Sequence, residues 1–154
     1  MDYYNLPETV TFLVSQKAFI VEKGKLLLLR YPIKPNREYS GYWALPGGLL
    51  EIDEKLDSGL LREVKEETGL SVEIGKLVAV GDSYFENFVF ANKKVTDVRI
   101  VQIGYECTLV GKIKVIISDE HMAFKWEKLD NLKDNKFTPD CVDLINKYTS
   151  LHTD

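Results

Sequence analysis

The sequence predicts an α+β fold, a mixed sheet flanked by helices, and three observations lead there. Strand-like segments come first, then an amphipathic helix, further strand-like segments and a closing helix. In the last long segment Val101, Ile103, Tyr105, Cys107 and Leu109 alternate with polar or small residues, the period of a half-buried strand. From about residue 55 to 68 the period becomes helical, greasy on one arc and acidic on another.

Taken in order, Val10 to Val21 and Lys25 to Arg30 read as strands joined by a turn at Lys23-Gly24. Pro32, Pro35, Asn36, Ser40 and Gly41 mark a loop from Tyr31 to Gly41. Trp43-Ala44-Leu45-Pro46-Gly47-Gly48 reads as a short strand entering a tight Gly-Gly turn. The helix follows, with Leu56, Leu60, Leu61 and Val64 as its apolar arc and Gly69 as a left-handed C-cap. Val72 to Tyr84 and Val95 to Leu109 are strand-like, with Tyr84, Phe85, Phe88 and Phe90 clustered at a hairpin between them. Phe124 to Glu127 is a further short strand. Thr138-Pro139-Asp140 then supplies an N-cap, a first-turn proline and an acid matched to the helix dipole, opening a helix to about Tyr148.

With 154 residues and 45% hydrophobic content, the chain suits one domain, residues 1–154, with a sizeable core. No apolar run approaches the roughly 20 residues that span a bilayer, and the polar start Met1 to Asn5 does not resemble a secretory signal. Cys107 and Cys141 lie far apart without metal-ligand spacing, so they read as core thiols in a reducing cytoplasm. A net charge of -4 and a pI near 5.3 leave no basic footprint for long nucleic acid.

The chemistry concentrates on the first helix. Glu63, Glu66 and Glu67 stand at i, i+3 and i+4, so their carboxylates share one face. Like charges so spaced destabilise a bare helix by a few tenths of a kcal/mol per pair. A hard divalent cation resolves that conflict, because Mg2+ prefers oxygen ligands and bridges carboxylates to phosphates. The alternative is a solvated acidic face, which the flanking glycines and Arg62 disfavour. A backbone carbonyl in the Gly47-Gly48 turn could complete a cation's shell, and the bare Gly59, one turn before Glu63, would let that turn close on the helix.

These residues carry a resemblance. Gly48, Glu54, Arg62, Glu63, Val64, Glu66, Glu67, Gly69 and Leu70 stand in the register of the Nudix hydrolase signature. Trp43 to Gly48 resembles the stretch that precedes it, and Ser118-Asp119-Glu120-His121-x-x-Phe124-x-Trp126 is similar to a downstream segment of MutT-like members. Asp53 departs from the pattern, which commonly has glycine there; Asp tolerates left-handed geometry better than most residues. The resemblance implies an α/β/α sandwich and hydrolysis of a nucleoside diphosphate linked to a moiety X. It implies Glu63, Glu67 and the carbonyl of Gly48 as metal ligands, and Glu66 as a further ligand or a base. It also implies Arg62 paired with a carboxylate such as Glu54, and a glutamate outside the signature, here Glu120, as ligand or general base. Mg2+ is the expected ion, with Mn2+ able to substitute, and a homodimer is compatible with the family.

The residues say less about X. Arg30, Lys34 and Arg37 could meet a phosphate, and for Arg30 a structural ion pair is an even alternative. Phe85 and Phe88 could stack on a base or simply pack. His121 reads as a hydrogen-bonded structural group before a proton relay, and Trp126 as core. The family features that accompany ADP-ribose (a proline near Glu86) and dinucleoside polyphosphates (a tyrosine at the position of Phe88) are missing. A nucleoside triphosphate or modified nucleotide is therefore the leading substrate. ADP-ribose, a nucleotide sugar and a dinucleoside polyphosphate are the alternatives. Two readings from other classes, a non-catalytic nucleotide-sensing module and an isoprenoid diphosphate isomerase, are disfavoured by the intact signature and by cysteines without an evident site position.

Overall fold

A computed structural model of the chain describes residues 11–90, 93–95 and 97–152, with the side chains of 88–90 and 93–95 left undescribed. Its strands are β1 (Thr11–Glu22), β2 (Lys25–Arg30), β3 (Trp43–Ala44), β4 (Gly47–Leu49), β5 (Ser71–Phe85), β6 (Phe88–Phe90), β7 (Lys93–Val95), β8 (Val98–Val110) and β9 (Ala123–Lys128). Helix α1 spans Leu56–Thr68, helix α2 spans Pro139–Ser150, and a 3-10 segment, Leu129–Asp134, follows β9.

The sheet is built around β1. One edge of β1 runs parallel to β8, from Thr11 opposite Val98 to Ile20 opposite Cys107. Its other edge is divided, taking β4 against Ser15 to Lys17 and β2 against Val21 and Glu22, both antiparallel. The main path is β3-β2-β1-β8-β5, with β9 paired to β2. This is a mixed sheet, and helices cover both faces of it.

Side-chain alternation decides which helix each strand residue meets. Ala18, Ile20 and Leu27 point to the α1 face, where they pack with Leu60 and Val64. Phe19, Leu26 and Leu28 point to the α2 face, where they meet Leu144, Ile145 and Tyr148. Phe19 stacks on Tyr148 at 4.3 Å between ring centroids. A strand buried on both faces needs no polar alternation, which is why Leu26 to Leu29 form an unbroken apolar run. The β1–β2 turn uses Lys23 and Gly24 at φ 50° and 74°, the paired left-handed geometry that matches strand twist in a two-residue hairpin.

The structure corrects several expectations of the fold. Val95 belongs to the short β6–β7 hairpin, and β8 begins at Val98 because Asp97 turns the chain at φ 58°. Leu56 and Leu61 lie on the flank of α1, each 39% exposed, while Leu60 and Val64 carry the buried face. Thr138 occupies the N-cap position of α2, but its side chain makes no capping hydrogen bond. Asp53 does not take a left-handed conformation, so its replacement of glycine carries no backbone strain. Val10 lies outside the described residues. Among those residues, no helix is long and apolar enough to cross a membrane.

Candidate metal and phosphate site

The site begins at β4. A tight Gly-Gly turn is expected there, but the chain runs as a strand against β1, because the missing side chains let it pair closely. Gly47, at φ +133°, passes so close to β1 that a Cβ would lie 2.0 Å from the Gln16 carbonyl oxygen. A Cβ on Gly48 would fall 2.8 Å from the carboxylate of Glu63. Only glycines let β4 lie between β1 and α1 in this way. Gly59 serves the helix side, where a Cβ would come within 2.8 Å of the Leu50 side chain and 3.0 Å of Glu54 Oε2. The loop that carries Glu54 thus closes onto α1.

Arg62 is the hub of the acidic face. Its Nε donates to Glu54 Oε1 and its second terminal nitrogen to Glu54 Oε2 at 3.0 Å. Further contacts reach Glu63 at 3.1 Å and Glu66 at 2.9 Å. Hydrogen bonds from Arg62 and from the Glu51 amide hold the Glu54 carboxyl below its ordinary value. One guanidinium therefore braces loop and helix, as a planar fork of five donors allows.

Glu67 is set deeper. It is 6% exposed, and its Oε2 accepts a 2.7 Å hydrogen bond from the Gly47 amide. Burial drives its pKa up to about 7, against the pull of Lys17 and that amide, and with help from Glu63 and Glu120. Glu63 is likewise raised, chiefly by burial, with Arg62 opposing. His121 Nε2 lies 3.9 Å from Glu67 Oε1, and its ring leans on Tyr31 at 5.0 Å. Burial, reinforced by Lys17, lowers His121 to about 4. At neutral pH the imidazole is uncharged, and the contact is polar rather than ionic.

Lys17, on β1, is 3% exposed, with its ammonium 3.0 Å from Asp140 and 3.4 Å from the Gly47 carbonyl. Burial disfavours its charge, but Asp140, aided by Glu67 and other neighbours, outweighs burial and raises the amine well above its usual value. A buried lysine persists only when paired in this fashion.

These parts border a cleft of about 1310 Å3. Gly48, Arg62, Glu63, Glu66, Glu67, Glu120 and Phe85 all line it, so most of the expected site is gathered in one place. Arg30 is not brought there: its Nε donates to the Gly41 carbonyl at 3.0 Å and its guanidinium lies over Trp43, closing the loop between β2 and β3. The Phe88 side chain lies outside the described residues. Lys17, Tyr31, Tyr39 and Asp140 also line the cleft and went unnoticed in the sequence. Their only signals were a lysine within an apolar strand and an acid in the first turn of α2.

The donors suit a hard cation, being carboxylates and a backbone carbonyl, with one carboxylate held near pKa 7 by burial. Among the described residues, however, no three His, Cys, Asp or Glu side chains form a ready metal cluster. Glu63 and Glu66 are instead paired with Arg62, at 3.1 and 2.9 Å.

The NUDIX domain model matches residues 14–147. The chain belongs to the Nudix family. Members of that family hydrolyse pyrophosphate bonds and generally use divalent metal ions. A MutT-like protein from Streptomyces ambofaciens is 34% identical over 73% of this chain and 61% of its own length. An ADP-ribose pyrophosphatase from Methanocaldococcus jannaschii is 40% identical over 42% of this chain and 37% of its own. This Nudix chain thus spans about three fifths or less of those curated relatives. The crystal structure of a MutT protein from Methanosarcina mazei superimposes with a TM-score of 0.69 at 30% identity, covering 93% of this chain and 96% of that one.

Proposed function

We propose that this chain is a Mg2+-dependent hydrolase, with Mn2+ able to substitute, that cleaves the diphosphate of a nucleoside triphosphate or modified nucleotide to the monophosphate and pyrophosphate. The observation that carries this reading is the gathering of Glu63, Glu66 and Glu67 on one face of α1, against the glycines of β4, in a cleft large enough for a nucleotide.

The Glu63 and Glu67 carboxylates and the Gly48 carbonyl would hold the ion. Bound there, it would lower the pKa of water and neutralise charge on the phosphoryl oxygens. Arg62 keeps the loop and α1 in register through Glu54. Glu66, at the cleft surface, or Glu120, from the segment after β8, would take the proton of the attacking water. Phe85 supplies an apolar wall for the base. No covalent intermediate is needed.

A triphosphate is favoured over ADP-ribose because no proline lies between Leu70 and Phe137, and because the Glu120 segment and the Streptomyces relative are both MutT-like. Of the alternatives, ADP-ribose is the one that the Methanocaldococcus relative, an ADP-ribose pyrophosphatase, supports. A panel of dNTPs, NTPs, 8-oxo-dGTP, ADP-ribose, a nucleotide sugar and diadenosine polyphosphates separates them. The highest kcat/KM is expected on a triphosphate, and a clear preference for ADP-ribose would overturn the substrate assignment.

A further inference from the structure

A triphosphate carries more negative charge than one divalent ion cancels, so its cleft needs cations of its own. Among the described residues, the lysines and arginines that line the cleft are Lys17, Arg37 and Arg62. Two of these are already engaged. Lys17 is buried against Asp140 at 3.0 Å, and Arg62 is shared among Glu54, Glu63 and Glu66. Arg37 has no carboxylate partner among the described residues; its guanidinium carbon lies 5.9 Å over the Tyr31 ring. Glu38, beside it in the chain, is taken up by the Tyr39 hydroxyl instead.

The loop between β2 and β3 carries Arg37 near its middle. The Lys34 amide donates to the Ser40 hydroxyl at 2.8 Å, a bond that spans the arginine, and Asn36 turns the backbone just before it at φ 59°. Tyr31, under the guanidinium, leans on His121 at 5.0 Å, and His121 Nε2 lies 3.9 Å from Glu67 Oε1. Two rings thus stand between this cation and the carboxylates of α1. A fork already laid on an aromatic face loses less freedom on meeting a ligand than a loose side chain does.

We propose that Arg37 is the subsite for the terminal phosphates of the substrate, the pair that leaves as pyrophosphate. This rests on the triphosphate reading above for the identity of the ligand. A planar guanidinium meets two phosphate oxygens at once, which gives it direction as well as charge. A nucleoside monophosphate has no group to place there. Arg37 therefore selects for a substrate with a pyrophosphate leaving group.

The test is calorimetric titration of inorganic pyrophosphate, in Mg2+, into wild type, R37Q and R37K, beside titrations of the common nucleoside monophosphates. R37Q is expected to bind pyrophosphate about 10- to 100-fold more weakly. It should bind monophosphate as wild type does and melt close to wild type, because Arg37 is exposed. R37K should recover part of the loss, keeping the charge without the planar fork. In turnover of a triphosphate, the R37Q loss should fall mainly on KM. Wild-type pyrophosphate affinity in R37Q would overturn the proposal. So would an equal loss for pyrophosphate and monophosphate, which would mean that the substitution only disturbs the loop. Pyrophosphate binding that depends on Arg37, in a wild type that hydrolyses no triphosphate, would instead retire the substrate reading alone.

Discussion

At Glu67, burial and hydrogen bonding act against each other, and burial wins. The carboxyl is raised from an ordinary 4.5 to about 7 even though the Gly47 amide and Lys17 favour its charged form. A group whose folded pKa lies above its unfolded value binds more protons when folded, so its stabilisation is complete below about 4.5 and is lost as pH rises through about 7. Glu67→Gln cannot ionise and should escape that loss. Urea unfolding in a chelator at pH 5 and pH 8 should therefore show the variant gaining on wild type at the higher pH. A constant difference would mean that Glu67 titrates normally. Lys17 shows the limit of sequence reading at this scale. Its burial depends on Asp140 at the far end of the chain, and no local pattern reports that pairing. Arg30 shows the reverse, since a cation at a strand end that could equally meet a phosphate or a structural partner takes the structural one, the Gly41 carbonyl.

Among the elements, α1 was the most legible, because acidic and apolar spacing are local signals; the two glycines were read as a turn and are strand β4, since their pairing with β1 is tertiary. The energetics of β4 and α1 differ. Gly47→Ala forces a Cβ to 2.0 Å from a backbone oxygen at φ +133°, with no flexible atom to yield. It should destabilise by about 3 kcal/mol, read as a fall in the urea midpoint at unchanged slope. Gly59→Ala is another matter. Alanine gains about 1 kcal/mol of helix propensity, and its closest clash is with the tip of the Leu50 side chain at 2.8 Å, which can move. Stability should change little while turnover falls, because the displaced loop carries Glu54 away from Arg62. Wild-type turnover in that variant would show that the loop's closure is irrelevant. The strand boundaries near Asp97 and the flank position of Leu61 were not legible, since both depend on what packs opposite them.

Across the whole molecule, β1 is the organising member. It pairs with β8, β4 and β2, sends Phe19 to one core and Ala18 and Ile20 to the other, and carries Lys17 beneath the cleft. The mixed α+β arrangement was readable from the order and periods of its segments, while the sandwich was implied by the family resemblance. The convergence of Tyr31, Tyr39 and Asp140 on the same cleft was not, because it arises from tertiary pairing alone. The central claim is that this cleft hydrolyses a nucleotide through an ion held by α1. Its most direct test is product analysis with a nucleoside triphosphate, in Mg2+ and then in excess EDTA, with Glu67→Gln beside wild type. Monophosphate and pyrophosphate should appear from wild type only with Mg2+, and the variant should be slower by orders of magnitude. Release that survives EDTA, or a variant that turns over at the wild-type rate, would contradict it.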